Sequence, residues 1–258
     1  MKQAAYFGFS LLMLSSAAFA GGDTKSADKK FKQKGEYEVA LQEYKKALEA
    51  GGPKAYINAQ IGECYRLSNR LADAAPFYKA AIESGSKVDS ILFQLPFALK
   101  AAGNYTDAKK SFSDYAANGG KPAKVERCQR EIENLNKIAD LEKKKFWYEI
   151  SNLSSVNTAG SEYGTFFHDG NLYFASTRGS SAIYGATGQP FTNIFAFKVG
   201  GDSAAVKEVA GVNLVGQHEA SPTITKDGKL MVFARSNDGA RKTHKEVCLY
   251  SSRNVNGT

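Results

Sequence analysis

Apolar and small side chains return along residues 24–145 with a period of 34. Ala40, Ala74 and Ala108 keep this spacing, as do Tyr44, Tyr78 and Phe112. Phe31, Tyr65 and Leu99 follow it, and so do Gly35, Asn69 and Gly103, and Tyr37, Leu71 and Tyr105. Ala47 and Ala81 continue it, with Tyr115 in the third copy. Small residues with rings between them predict paired antiparallel helices: the small side chain lets two helices approach, and the ring fills the groove beside it. Gly51-Gly52-Pro53 and Gly119-Gly120-Lys121-Pro122 mark joints, since glycine ends one helix and proline opens the next. The spacing predicts units at 21–54, 55–88 and 89–122. A last helix over 123–146 would carry Cys128, Ile132, Leu135, Ile138 and Leu141 on one face and cap the array. Pro96 predicts a bend or a missing hydrogen bond in the third unit.

From residue 147 onward the helical period is lost, and Gly, Ser, Thr, Asn and aromatic residues take over. Leu172–Thr177 follows Asp169-Gly170, and Leu230–Ala234 follows Asp227-Gly228. Asp-Gly between apolar runs predicts a β-hairpin. Further strands are expected at Asn193–Phe197 and Val247–Tyr250. Val156-Asn157 returns 56 residues later as Val212-Asn213, and Asp169-Gly170 returns 58 residues later as Asp227-Gly228. A short strand precedes each Val-Asn pair, Tyr148–Leu153 in one copy and Val206–Val209 in the other. Arg178 has no counterpart at the same place, since Arg235 sits earlier relative to its strand. Four strands per unit of roughly 40–60 residues describe a propeller blade, and two blades cannot close a ring. Trp147–Leu153 is therefore a candidate closing strand whose partner blade is missing, and the chain reads as the N-terminal part of a longer protein.

The first twenty residues change the picture of where the chain works. Lys2, an apolar stretch from Ala4 to Leu14, and Ala18-Phe19-Ala20 make a secretory signal peptide over 1–20, cleaved after Ala20. Gly21-Gly22 follow rather than a cysteine, so no N-terminal lipid anchor is expected. Export leads to an oxidising compartment, where Cys64, Cys128 and Cys248 could pair in part. None stands in a CxxC arrangement, which favours three small core residues. The formal charge of +8 is diffuse: 23 basic and 18 acidic side chains lie in 21–150, and ten and eight in 151–258. Such a spread solvates helices rather than tracking phosphates, so nucleic acid is not expected as a partner. No apolar run of about 20 residues predicts a membrane span. His168, His218 and His244 form no HExxH pair, and no G-x-S-x-G elbow or glycine-rich phosphate loop occurs. No enzyme activity, metal or cofactor is expected.

Two stretches carry a resemblance to known families. Gly35-Glu36-Tyr37-Glu38-Val39-Ala40-Leu41-Gln42-Glu43-Tyr44-Lys45-Lys46-Ala47-Leu48 resembles the second half of a tetratricopeptide repeat. Ser161–Arg178 and His218–Lys229 resemble the WD40-like repeat of TolB-type periplasmic propellers, with the Ser-Pro-Asp-Gly-Lys core loosened to Thr225-Lys226-Asp227-Gly228-Lys229. The resemblance implies an α + β multidomain chain: a signal peptide (1–20), an α-solenoid of three tetratricopeptide repeats with a capping helix (21–146), and an incomplete WD40-like β-propeller of two blades (147–258). This order resembles the OmpA-family, PorE-like envelope proteins of Bacteroidetes. The family implies a periplasmic, outer-membrane-associated scaffold in type IX secretion, gliding or surface anchoring. Its partner would be a PorP/SprF-like barrel, and peptidoglycan would be reached only through a C-terminal OmpA-like domain not present in this chain. Carrying over the family's concave groove places Lys29, Lys32, Tyr56, Glu63, Arg66, Phe93, Phe97 and Lys100 on a protein-binding surface. Glu63, Phe93 and Phe97 stand where carboxylate-clamping members have Lys and Asn, which speaks against that ligand class. Two other readings are a propeller that senses a glycan or peptide, and the N-terminal region of a propeller-containing hydrolase.

Overall fold

A computed structural model describes residues 22–144, 149–236 and 247–254. The expected signal peptide at 1–20 lies outside the described residues, as do His244 and the start of the expected strand at Trp147–Leu153. The chain is α+β, with helices first and antiparallel sheets after.

Helix α1 (Lys25–Lys29) runs into a π-helical turn (Lys30–Lys34). There follow α2 (Tyr37–Glu49), α3 (Lys54–Leu67), α4 (Leu71–Glu83), α5 (Asp89–Ala101), α6 (Tyr105–Ala117), α7 (Pro122–Asn136) and α8 (Ile138–Glu142). From α2 to α7, each helix packs on the next in chain order. The 34-residue spacing is written into the backbone. Gly35, Asn69 and Gly103 take left-handed φ values of 65°, 61° and 77°, and Gly51, Gly85 and Gly119 take 80°, 96° and 83°. Each ends a helix, where glycine, or asparagine at lower cost than other residues, meets the steric demand of that conformation. Ala40, Ala74, Ala108, Tyr44, Tyr78 and Phe112 are fully buried.

The close approach of α3 and α4 depends on Gly62. A β-carbon there would stand 2.4 Å from Cε1 of Tyr78. The ring cannot retreat freely, because it is buried and its hydroxyl donates to Glu63 Oε1 at 2.6 Å. Overpacking of this kind costs about 1–3 kcal/mol, against about 1 kcal/mol of helix propensity that alanine gains over glycine. Gly62→Ala is therefore expected to lower the midpoint of thermal unfolding followed by far-UV circular dichroism; an unchanged or raised midpoint would show that Tyr78 can yield.

Helix α5 runs through Pro96 from Asp89 to Ala101, and the loss of one intrahelical hydrogen bond follows from proline's missing N–H. One expectation about the helices is corrected. The last helix is not continuous over 123–146 but breaks at Lys137 between α7 and α8. Cys128, Ile132 and Leu135 pack into the cluster with α5 and α6, while Leu141 is 51% exposed. The apolar spacing continues past Asn136, but the supporting cluster does not. Cys64 and Cys128 are buried in separate clusters, and Cys248 is half-buried at the start of a strand.

The first sheet has four antiparallel strands in chain order: β1 (Glu162–His168), β2 (Asn171–Ser176), β3 (Asn193–Lys198) and β4 (Val206–Glu208). The second has β5 (Glu219–Ile224), β6 (Leu230–Arg235) and β7 (Cys248–Arg253). Asp169-Gly170 forms the β1–β2 turn with both residues at positive φ, and Asp227-Gly228 lies in the β5–β6 turn. Val206–Glu208 closes the first sheet as its outer strand. Residues 149–153 form no strand and are exposed, with Ile150 83% accessible. Among the described residues they have no sheet edge beside them, and an extended segment without a partner leaves its backbone groups to water.

The sheets share one core. Ile194 of β3 and Tyr173 of β2 meet Val212, Met231 and Phe233 of the second unit. Val156, Phe174, Phe195 and Phe197 fill the other side of the first sheet. Each unit carries the same tie. Arg178 donates to the carbonyl of Val156 and to Glu162 Oε1 (3.0 Å); Arg235 donates to the carbonyl of Val212 and to Glu219 Oε1 (2.7 Å). Arg235 stands two positions earlier than Arg178 by strand register, opposite Glu219, where the first unit has Ser176 opposite Glu162. The two guanidinium groups nevertheless reach equivalent partners, so Arg178 does have a counterpart in space.

Candidate protein-binding groove

The predicted groove residues fall into columns of the helical repeat. Lys29, Glu63 and Phe97 form one column, and Lys32, Arg66 and Lys100 another. The tertiary contacts of the two columns decide what remains open to a ligand.

The first column points toward the following helix. Glu63 on α3 accepts from Tyr78 on α4 and from Arg66, whose Nη2 lies 2.6 Å away. One repeat later Phe97 stands for Glu63 and Phe112 for Tyr78. The polar tie becomes an edge-to-face ring contact, with centroids 4.9 Å apart at 86°. A phenylalanine in place of Tyr78's equivalent would leave a carboxylate at 97 without its donor, and the paired replacement avoids that cost. Lys29 is exposed.

The basic column is paired within the chain. Lys32 lies 3.6 Å from Asp28, Arg66 is bound to Glu63, and Lys100 is bound to Glu131 of α7. Asp28 also accepts from the hydroxyls of Tyr44 (2.7 Å) and Tyr56. Burial works against its charge, but the two hydroxyl donors and Lys32 hold its carboxyl below the usual range. Tyr56 is thus half anchor, half groove wall.

Phe93 and Phe97 are not presented to solvent as a groove. Phe93 is 6% exposed and meets Phe97 (5.1 Å) and Tyr115 (5.4 Å). Helix α7 covers both rings: Lys124 Nζ lies 4.7 Å from the Phe93 centroid, and the Arg127 guanidinium 4.5 Å from that of Phe97. Lys124 also grips Asp89 at 2.6 Å. The expected capping helix therefore occupies the third repeat's share of the surface.

What remains is a groove of about 530 Å³ between the π-helical turn (Lys30–Lys34), α3 and the start of α5. Of the eight predicted residues, Lys32, Tyr56 and Glu63 line it; Lys29, Arg66, Phe93, Phe97 and Lys100 do not. Its floor is apolar, from Phe31, Ala59 and Ile91, and its rim carries Lys32, Lys87 and Val88, the last 53% exposed. Gln60 contributes a side-chain oxygen that is shielded from solvent and accepts no hydrogen bond. Lys87, Val88 and Ser90 were missed by sequence reasoning because they lie at the α4–α5 joint, outside the carried-over positions. The exposed Val88 just before α5 was the one available signal.

Two further clefts are lined by described residues. A polar cleft of about 1030 Å³ lies between the α3–α4 turn and the first sheet, with Asn69, Arg70, Glu162 and His218 on its walls. His218 is a structural residue: its Nδ1 accepts from the Thr192 amide (3.2 Å), and its ring packs on Phe191 and Tyr184 at 4.6 and 4.8 Å. Burial pushes its pKa down. A smaller cleft of about 430 Å³ between the sheets holds His168, Tyr173, Glu208 and Arg253. Among the described residues, no three His, Cys, Asp or Glu side chains converge as metal ligands. No described helix is long and apolar enough to cross a membrane.

Comparison of the chain with protein-family models, curated proteins and solved structures found no match.

Proposed function

We propose that the chain is a non-enzymatic binding scaffold of the cell envelope. The helical part is read as a tetratricopeptide-type stack that holds a polypeptide partner, and the sheets as the first two blades of a WD40-like propeller. The observation that carries this reading is the groove between the π-helical turn, α3 and the start of α5, with its apolar floor, its lysine rim and the unused acceptor Gln60. An apolar floor with a few polar groups is the chemistry of a peptide site, where burial supplies affinity and hydrogen bonds set register. The wider reading is a periplasmic protein that binds a PorP/SprF-like outer-membrane barrel or a related secretion or gliding component. It would reach peptidoglycan through an OmpA-like domain outside these residues. That reading rests on the resemblance of the two repeats and their order.

Displayed peptide libraries panned on the chain test the groove. Peptides are expected to be enriched, and Val88→Glu is expected to weaken them at least tenfold while leaving the circular dichroism spectrum intact. Val88 is exposed, so the substitution tests contact rather than folding. Equal binding by Val88→Glu, or no enrichment at all, would remove the groove from the reading.

A further inference from the structure

The polar cleft of about 1030 Å³ takes its walls from both parts of the chain. One wall is the α3–α4 turn with Asn69 and Arg70. The other joins the start of β1 to the loop before β3, with Ser161, Tyr163, Gln189 and Thr192. The two walls are tied together. Glu38 N–H at the start of α2 donates to the carbonyl of Gly185 (3.1 Å), and Arg70 donates to the Glu38 carboxylate. Gly188 lies so close to α2 that a β-carbon there would stand 2.7 Å from Cγ of Glu38. A cleft held in shape before a ligand arrives avoids much of the ordering cost of binding.

The lining carries no unpaired charge among the described residues. Arg70 is paired with Glu38, and Glu162 with Arg178 at 3.0 Å. Burial pushes the His218 pKa down, so its ring is uncharged at neutral pH. An ion entering here would give up water and find no counter-charge. The lining is also poor in carbon. Only Ala159, Gly160 and Pro190 in it lack a polar side-chain group, so an apolar peptide side chain would gain little burial.

What the cleft does offer is neutral hydrogen bonding in both directions. The amides of Asn69 and Gln189 and the hydroxyl of Ser161 make no side-chain hydrogen bond among the described residues. Each of these groups can donate and accept. His218 adds a donor. Its Nδ1 accepts from the Thr192 amide, which can only donate, so the proton of the neutral ring sits on Nε2. Tyr163 adds a ring that is 43% exposed, its hydroxyl anchored on Thr192 Oγ1 at 3.3 Å. A neutral frame of hydroxyl groups that both donate and accept, with a C–H face to lie on a ring, is carbohydrate chemistry.

We propose that this cleft binds a neutral oligosaccharide, whose hydroxyls bond to Asn69 on the helical wall and to Gln189 on the sheet wall. The site is separate from the peptide groove, and it exists only where the helices and the first sheet meet.

An array of immobilised neutral and anionic oligosaccharides is the first test. Binding to neutral members above anionic ones is expected. No binding to any member, or a preference for anionic members, overturns the proposal. The second test uses titration calorimetry with the neutral oligosaccharide bound most strongly on the array. Asn69→Gly keeps the left-handed turn, where φ is 61°, and removes only the amide. Gln189→Ala removes an exposed side chain from the facing wall. Each is expected to weaken binding about fivefold, the scale of one hydrogen bond, with the circular dichroism spectrum unchanged. Full affinity in either variant overturns the proposal, because the ligand would then not span the two walls.

Discussion

Arg235→Ala is expected to destabilise the second sheet by about 3–5 kcal/mol, the cost of leaving one member of a buried pair without the other. Glu219 has no side-chain exposure and Arg235 only 13%. The carboxylate has one strong partner, Arg235 Nε at 2.7 Å, and its Oε2 accepts no hydrogen bond. Burial pushes the Glu219 carboxyl up even with the guanidinium present, which draws it part of the way back. Without Arg235 the charged form stands in an apolar site beside Phe233 and Tyr250, whose rings the guanidinium now covers at 5.1 and 4.9 Å. The pH dependence follows from the direction of that shift. A carboxyl whose folded pKa lies above its unfolded value lowers stability when ionised, so the loss in Arg235→Ala should shrink as pH falls through the folded pKa. Arg178→Ala is the internal control. Glu162 is also drawn upward by burial, but Thr158 (side chain and amide), Ser176 and Arg178 hold its carboxyl down at about 2. Three of those four donors survive the substitution, and about 1.5–3 kcal/mol is expected, the scale of one hydrogen bond to a charged group. Amide hydrogen exchange over β5–β7 and β1–β3 would read both losses in place. Equal losses in the two variants would mean that Glu219 finds another donor.

The second large effect concerns Phe93, whose replacement by alanine is expected to cost about 3–5 kcal/mol, the range for a ring removed from a packed core. Phe93 joins three helices: it meets Phe97 in its own helix, Tyr115 of α6, and Lys124 of α7. Its loss would open a cavity beside Phe112 and Cys128, both without exposure. Phe93→Leu should recover more than half of the stability, because most of the volume returns. Chemical denaturation followed by circular dichroism measures both. If Phe93→Ala keeps full stability but abolishes peptide binding, the ring is a ligand contact and α7 must move aside when the partner binds.

The repeats were legible in the chain because each rests on a local rule. Left-handed helix ends favour Gly or Asn, and these recur every 34 residues from Gly35 to Gly119. Close helix crossings need Ala, and hairpin turns need Asp-Gly, so Ala40, Ala74, Asp169 and Gly228 announced their roles. The surface was less legible, because exposure is decided by what lies across a gap. Phe93 and Phe97 occupy groove positions by spacing, yet α7, some 30 residues on, covers them. The exchange of Glu63 and Tyr78 for Phe97 and Phe112 reads as a departure in each residue alone. It makes sense only as a pair in contact.

The sequence alone determined the order of the helices from α2 to α7, the two Asp-Gly hairpins and the two periods, since these follow from backbone sterics and from spacing within a turn or a strand; the break at Lys137 and the missing strand at 149–153 were not legible in it. Tertiary structure decided which face stayed open, how Arg235 reached the place of Arg178 from a different register, and that Lys32, Arg66 and Lys100 are spent on Asp28, Glu63 and Glu131. The reason is range. Local conformation is set by neighbours in the chain, whereas burial and charge pairing are set by side chains that meet only after the helices and sheets have packed.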